Sequence, residues 1–266
     1  MSERRACRLS DIGRSSFRYE RKPDRNVALR KRLKELAEKR RKFGCSRLLT
    51  LLRREGHLVN HKRLERLYRE EGLSLRRRKR KKRVASLRIV MDRPQRANQH
   101  WSMDFVSDNV WSGRRFRVLT IVDDFTKECP ALEVDYSLPG LRVTRVLNRL
   151  ALMRGLPEII TVDNGPEFIS KALDAWAYAN NVRLRFIEPG KPVQNCFIES
   201  FNGKFRDECL DDNVFTDIRD ARRKIEEWRV DYNTVRPHSS LNDLTPEEFI
   251  ATLTATDQIT NSQVAL

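Results

Sequence analysis

This 266-residue chain predicts an α/β fold, a mixed five-stranded sheet flanked by helices and preceded by a basic all-α, helix-turn-helix-like domain. Three observations carry that reading. Apolar residues recur at helical spacing through the first 75 positions, and strand-like alternation begins only near Trp101. Charge divides at the same place. Residues 1–98 hold 34 Lys and Arg against 11 Asp and Glu, a net +23, whereas residues 99–266 hold 20 against 26, a net −6. A basic arm beside a near-neutral body points to a polyanionic partner.

In the arm, residues 27–42 predict a helix with Leu29, Leu33 and Leu36 inward. A second helix runs from Arg47 to Glu55 with Leu48, Leu51 and Leu52 on one face, and Gly56 ends it. Asn60 is placed to cap a third, His61 to Glu71, which buries Leu64, Leu67 and Tyr68. Short basic helices separated by tight turns fit a helix-turn-helix bundle over 1–75; a helical adaptor without groove contact fits them too. Arg76, Arg77, Arg78, Lys79, Arg80, Lys81, Lys82 and Arg83 then follow without interruption. Such a run repels itself, so 76–98 reads as a flexible linker that grips phosphates by releasing counterions.

The catalytic-core reading covers 99–250. Trp101–Val106, Phe116–Asp124 and Glu128–Tyr136 predict three strands in an antiparallel meander. Leu141–Arg154 predicts a helix stopped by Gly155 and Pro157, and Glu158–Val162 a short strand. Pro166–Asn180 predicts a helix with Pro166 in the favoured first position. A fifth strand, Val182–Ile187, precedes helices over about Val193–Leu210 and Arg219–Tyr232. The order β-β-β-α-β-α-β-α is that of a ribonuclease-H-like sheet. The tail, 251–266, is small and polar and is expected to fray.

Three acids stand out. Asp104 interrupts an apolar strand, where an unpaired carboxylate is costly. Asp163 closes a short strand, the position at which open α/β sheets place ligand groups, although it could equally cap the following helix. Glu199 lies about 200° around its helix from Phe197 and Phe201, which with Phe205 form the expected buried stripe. Asn195, Glu199, Asn202 and Arg206 therefore share one polar face; with Lys204 on its flank, they are the expected DNA contacts beside the basic run. Three carboxylates brought together could hold two Mg²⁺ ions, with Mn²⁺ as a substitute, and so support phosphoryl transfer. Asp123, Asp124, Glu167, Asp207 and Glu208 read instead as caps, dipole partners or surface charges, with Asp124 the best substitute for Asp104.

Other chemistries are weaker. His57 and His61 have helical spacing for zinc but no Cys-x-x-Cys follows, and no Walker-type phosphate loop is present. Five widely spaced cysteines do not form a disulfide framework and suit a reducing, cytoplasmic setting. No apolar run reaches the length of a membrane span, so no membrane partner is expected. Tyr232-Asn233 and Arg236-Pro237-His238-Ser239-Ser240-Leu241 form a polar turn, readable as a packing clasp or as a DNA-backbone contact.

At these motifs the chain resembles the second-frame (OrfB) product of bacterial insertion-sequence transposases, relatives of retroviral integrases. Phe43-Gly44, Leu52-Arg53-Arg54-Glu55-Gly56, Val59-Asn60-His61-Lys62-Arg63 and Leu67-Tyr68-Arg69-Glu70-Glu71-Gly72-Leu73 resemble the family's helix-turn-helix region. Trp101-Ser102-Met103-Asp104-Phe105-Val106, Asp163-Asn164-Gly165-Pro166-Glu167-Phe168 and Gln194-Asn195-Cys196-Phe197-Ile198-Glu199-Ser200-Phe201-Asn202-Gly203 resemble its catalytic core, and the Tyr232 and Arg236 motifs its terminal signature. Cys45 and Cys196 depart from the pattern, outside the acids.

The resemblance implies that Asp104, Asp163 and Glu199 carry catalysis on double-stranded DNA, at element ends and target. It also implies a longer active form, in which frameshifting joins an upstream-frame (OrfA) segment to this chain. Pairing two DNA ends implies at least a dimer, and joining within the element first would give a branched circle precursor. The expected activity is Mg²⁺-dependent strand cleavage followed by strand transfer. A structure-specific nuclease on the same fold and a non-catalytic DNA-binding regulator are the alternatives.

Overall fold

A computed structural model describes residues 2–20, 23–76, 93–188 and 195–264. Of the basic run, Arg76 is exposed, while Arg77, Arg78, Lys79, Arg80, Lys81, Lys82 and Arg83 lie outside the described residues.

The arm begins with α1 (Glu3–Leu9) and the single turn α2 (Arg14–Phe17). Its body is α3 (Val27–Lys39), α4 (Cys45–Arg54) and α5 (His61–Glu70). Leu33, Leu48, Leu52, Leu64 and Leu67 are wholly buried in one small core, as their spacing predicts. Asn60 caps α5 by accepting the Lys62 amide at 2.9 Å.

Five strands form the sheet: β1 (His100–Asn109), β2 (Arg115–Asp123), β3 (Ala131–Asp135), β4 (Ile159–Val162) and β5 (Arg183–Phe186). Their order is β3-β2-β1-β4-β5. β1–β2 and β2–β3 are antiparallel, and β1–β4 and β4–β5 are parallel. The sheet is therefore the expected mixed, ribonuclease-H-like one. The helices are α6 (Gly140–Arg154), α7 (Lys171–Ala179), α8 (Cys196–Phe205), α9 (Ile218–Thr234) and α10 (Pro246–Val264).

Side chains alternate across β1. Trp101 and Met103 pack with Leu119, Ile121, Val143, Leu147, Leu173 and Trp176, beneath α6 and α7. Val106 faces the other way, with Val118, Val134, Ile198, Phe201, Phe205 and Trp228, beneath α8 and α9. Asp104, two residues before Val106, shares its face. β4 pairs with β1 only over His100–Ser102, so β1 runs on past its neighbour and opens a crevice beside Asp104.

Three expectations are corrected. The helix predicted from Pro166 begins at Lys171, because Ser170 caps it by accepting the Leu173 amide at 3.3 Å; Pro166 lies in a turn. The long helix through Leu210 changes hand-hold at Arg206, where Arg206–Leu210 winds as a π-turn. The tail continues as helix beyond Thr252. α10 runs through it from a capping box in which Glu248 N donates to Thr245 Oγ1 at 3.1 Å and Thr245 N to Glu248 Oε2 at 2.7 Å.

Candidate active site

Asp104 is half-buried at mid-strand. Its Oδ1 accepts the Phe105 amide at 2.6 Å, and its Oδ2 accepts Asn202 Nδ2 at 2.7 Å. Burial, with Asp163 and Glu199 nearby, nevertheless pushes its carboxyl up to about 6. Asp163 follows β4 and turns the chain by accepting the Gly165 amide on Oδ1 at 3.0 Å. A Cβ on Gly165 would stand 2.9 Å from that oxygen, so a larger residue there would push the Asp163 carboxylate aside. Asn164 ties the same turn to the end of β5, donating to Ile187 O at 3.0 Å. Glu199 is exposed in the first turn of α8.

Asp163 and Glu199 both lie close enough for their charges to act on Asp104. Asp104 and Asp163 share a cleft of about 470 Å³ with Arg115, Arg117, Tyr136 and Glu167; Glu199 stands outside it. Among the described residues, no three His, Cys, Asp or Glu side chains converge tightly enough to form a finished metal cage. The donor chemistry nonetheless suits a hard dication. The groups are carboxylates, and Asp104, raised first by burial and then by Asp163 and Glu199, carries a charge that a cation would stabilise.

The helix of Glu199 faces differently from its expected orientation. Its buried stripe is Ile198, Phe201 and Phe205, with Phe197 only partly covered under the Lys127 ammonium at 4.0 Å. Asn195 and Asn202 are 5% and 8% exposed, so they turn inward rather than along a solvated face. The cause is Asp104: Asn202 lies one helical turn from Glu199 and supplies the amide that this carboxylate accepts. Glu199 and Arg206 remain exposed, while Lys204 is half-buried.

The decoy acids have separate tasks. Asp123 accepts the Phe125 and Thr126 amides, each at 2.9 Å, and Asn98 N at 2.8 Å. Asp124 is fully buried, with its Oδ2 2.8 Å from both His100 Nδ1 and Ser102 Oγ, so it cannot stand in for Asp104. Glu167 pairs with Arg117.

Glu208 is not the surface charge its sequence setting suggests. Arg236, 2% exposed, donates Nε and Nη2 to its two oxygens at 2.7 Å each. Arg47 of the arm reaches the same carboxylate at 3.1 Å. The Tyr232 and Arg236 motifs are therefore a packing clasp. Asn233 pairs with both backbone groups of Cys129 at 2.9 Å, and the His238 ring meets Tyr232 edge-on at 4.7 Å.

A ribonuclease-H-like sheet joined to a basic helical arm defines the integrase type of polynucleotidyl transferase. Integrase core domain models match residues 94–192 and 180–246, and an HTH-like domain model matches 24–82. A 31.7 kDa protein of insertion element IS407 from Burkholderia multivorans is 53% identical over 96% of this chain and 93% of its own length. The putative transposase InsK of IS150 from Escherichia coli is 26% identical over 91% of each chain. In a simian T-cell lymphotropic virus intasome bound to PP2A regulatory subunit B56 gamma, one chain matches with a TM-score of 0.55 at 15% identity. That match covers 82% of this chain and 73% of the other, and bears on the fold alone. The chain belongs to the integrase-core family of insertion-element transposases.

Proposed function

We propose that the chain catalyses DNA strand cleavage and strand transfer for its insertion element, with Asp104, Asp163 and Glu199 as the catalytic acids. The observation that carries this is the cleft that Asp104 and Asp163 line together, with the Glu199 charge close enough to act on Asp104. Asp104 is a half-buried acid whose charge burial penalises, and a metal-dependent phosphoryl transferase is a function that uses such a group. Asp104, Asp163 and Glu199 would hold Mg²⁺, which when bound activates the attacking oxygen and stabilises the leaving one. Asn202 orients Asp104. The Asp163–Gly165 turn fixes Asp163 at the lip of the cleft. Arg206, exposed about two turns beyond Glu199, is placed for a neighbouring phosphate. The arm, 1–75, and the run 76–83 hold duplex DNA, and the core over 99–250 acts on it. The test is an oligonucleotide assay with a duplex from the element's end, a plasmid target and Mg²⁺. Joined products support the reading; cleavage without joining would favour the nuclease, and neither product would sink both.

Protonation gives a second test. A carboxyl raised to about 6 is neutral below that value and charged above it. The folded chain therefore binds more protons than the unfolded one between the ordinary aspartate range and about 6, and metal-free stability falls as pH rises through that window. Mg²⁺ should recover the loss, raising Tm more at pH 7.5 than at pH 5. Asp104→Asn should melt above the wild type at pH 7.5 without metal and respond less to Mg²⁺. A pH-independent Mg²⁺ effect on Tm would contradict this.

The helix orientation separates two further variants. Phe201 is 1% exposed against the rings of Trp228 and Tyr232, so Phe201→Ala should cost about 3–5 kcal/mol in urea unfolding. Arg206→Ala should leave stability within about 0.5 kcal/mol and weaken DNA engagement. Unfolding by Arg206→Ala with Phe201→Ala silent would mean the helix faces the other way.

A further inference from the structure

A buried polar network lies behind the three acids, and Asp124, 1% exposed just past β2, is its centre. Its Oδ2 accepts Ser102 Oγ and His100 Nδ1, each at 2.8 Å. A carboxylate only accepts, so Nδ1 carries a proton; the far ring nitrogen, Nε2, meets Thr161 Oγ1 at 2.6 Å. The Asp124 amide donates to His100 O at 2.9 Å, which pins this corner to β1. The Asp124 carbonyl accepts Lys127 Nζ, and that ammonium lies 4.0 Å from the centre of the Phe197 ring. Ser102 and Thr161 are 1% and 0% exposed, so this set of acid, imidazole and hydroxyls reaches no substrate and is not a nucleophilic triad.

The three ends of the network have matching positions. Ser102 stands two residues before Asp104, Thr161 two before Asp163, and Phe197 two before Glu199. On β1 two residues make one side-chain repeat, about 6.6 Å, so Ser102 shares a face with Asp104. Thr161 is the β1–β4 register partner of Ser102, and Asp163 follows directly after β4. On α8 the Lys127 contact holds the first turn, which carries Glu199. Stability alone does not account for an acid at this hub. Asp124 Oδ1 is buried with no hydrogen-bond partner among the described residues, and an unpaired oxygen of a buried carboxylate opposes folding.

We propose that Asp124 is a positioning residue for the metal site, holding β1, β4 and the first turn of α8 in the mutual register that lets Asp104, Asp163 and Glu199 ligate together. This role rests on the proposed ligation by those three acids. It works through Ser102, His100, Thr161 and Lys127, and its requirement is an oxygen at Oδ2 that accepts two hydrogen bonds. Asp124→Asn keeps such an oxygen, Asp124→Ala removes it, and Thr161→Val removes only the far hydroxyl while keeping its volume.

The experiment is a Mn²⁺ titration of the full chain at pH 7.5, read by the electron paramagnetic resonance signal of free Mn²⁺, beside melting curves. Wild type should bind Mn²⁺, and Asp104→Asn, which loses a proposed ligand, should bind it far more weakly. Asp124→Ala should weaken binding about tenfold or more and Thr161→Val about fivefold, while Asp124→Asn stays within about threefold of wild type. Leu147→Ala opens a cavity on the other face of the sheet and should lower Tm with Mn²⁺ affinity unchanged, which marks what lost stability does by itself. Wild-type affinity in folded Asp124→Ala would overturn the proposal; if that variant does not fold, wild-type affinity in Thr161→Val would do so. Asp124→Asn as weak as Asp124→Ala would overturn it too, by assigning the effect to charge. So would an equal loss in Leu147→Ala, by assigning it to stability. A wild type that binds Mn²⁺ no better than Asp104→Asn is a different failure, because it would sink the ligation by the three acids itself.

Discussion

Asp104→Asn, Asp163→Asn and Glu199→Gln are each expected to reduce DNA cleavage and joining by about a thousandfold or more, with duplex binding retained. An amide preserves the shape of each side chain and removes the charge that a dication would need. The three should differ in what else they change. Asp104→Asn relieves a half-buried charge and should stabilise the metal-free fold. Asp163→Asn keeps an oxygen for the Gly165 amide, so the turn should survive. Glu199→Gln alters an exposed position and should leave Tm nearly unchanged. Single-turnover assays on an element-end duplex, run beside anisotropy and melting curves, read all three effects. Normal joining by any one variant would remove that residue from the site.

Much of the fold was legible because its layers obey simple periods. Leu33, Leu48, Leu52, Leu64 and Leu67 are buried where a helical repeat puts them, and β1 and β2 alternate as half-buried strands do. What escaped depends on contacts across the chain. A helical wheel places Asn202 with Glu199 on a polar face and cannot reveal that Asp104, 98 residues away, takes its amide. The same wheel counts Phe197 as core, whereas Ile198 fills that place and Phe197 sits under Lys127. Pro166 suits a first helical turn, yet Ser170, with its own side-chain cap, sets the start. The Thr245–Glu248 capping box follows a Thr-x-x-Glu spacing that the polar composition of the tail obscures. The role of Arg236 could not be read locally, because its partner lies 28 residues earlier on a π-turn that no periodicity announces.

That clasp yields a large expected effect on stability. Arg236→Ala should cost about 3–5 kcal/mol, as removing one partner from a buried ion pair leaves the other charge uncompensated. Glu208 would keep only Arg47, at a longer 3.1 Å and with a side chain 34% exposed. The loss should spread to both sides of the seam between arm and core, since Arg236 also packs 5.5 Å from the Tyr232 ring and 5.8 Å from Phe43. Arg236→Lys should recover little, because one ammonium cannot reproduce two parallel donors to the carboxylate. Replacing the pair together, Arg236→Met with Glu208→Leu, should restore part of the stability, because apolar groups of similar volume need no partner while Arg47 loses its carboxylate. Urea unfolding of the full chain measures all four proteins. Arg236→Ala within about 1 kcal/mol of wild type would show that the clasp does not hold the arm against the core. A double variant no better than the single one would show that the geometry of the charged pair, rather than relief of its desolvation, sets the structure of the seam.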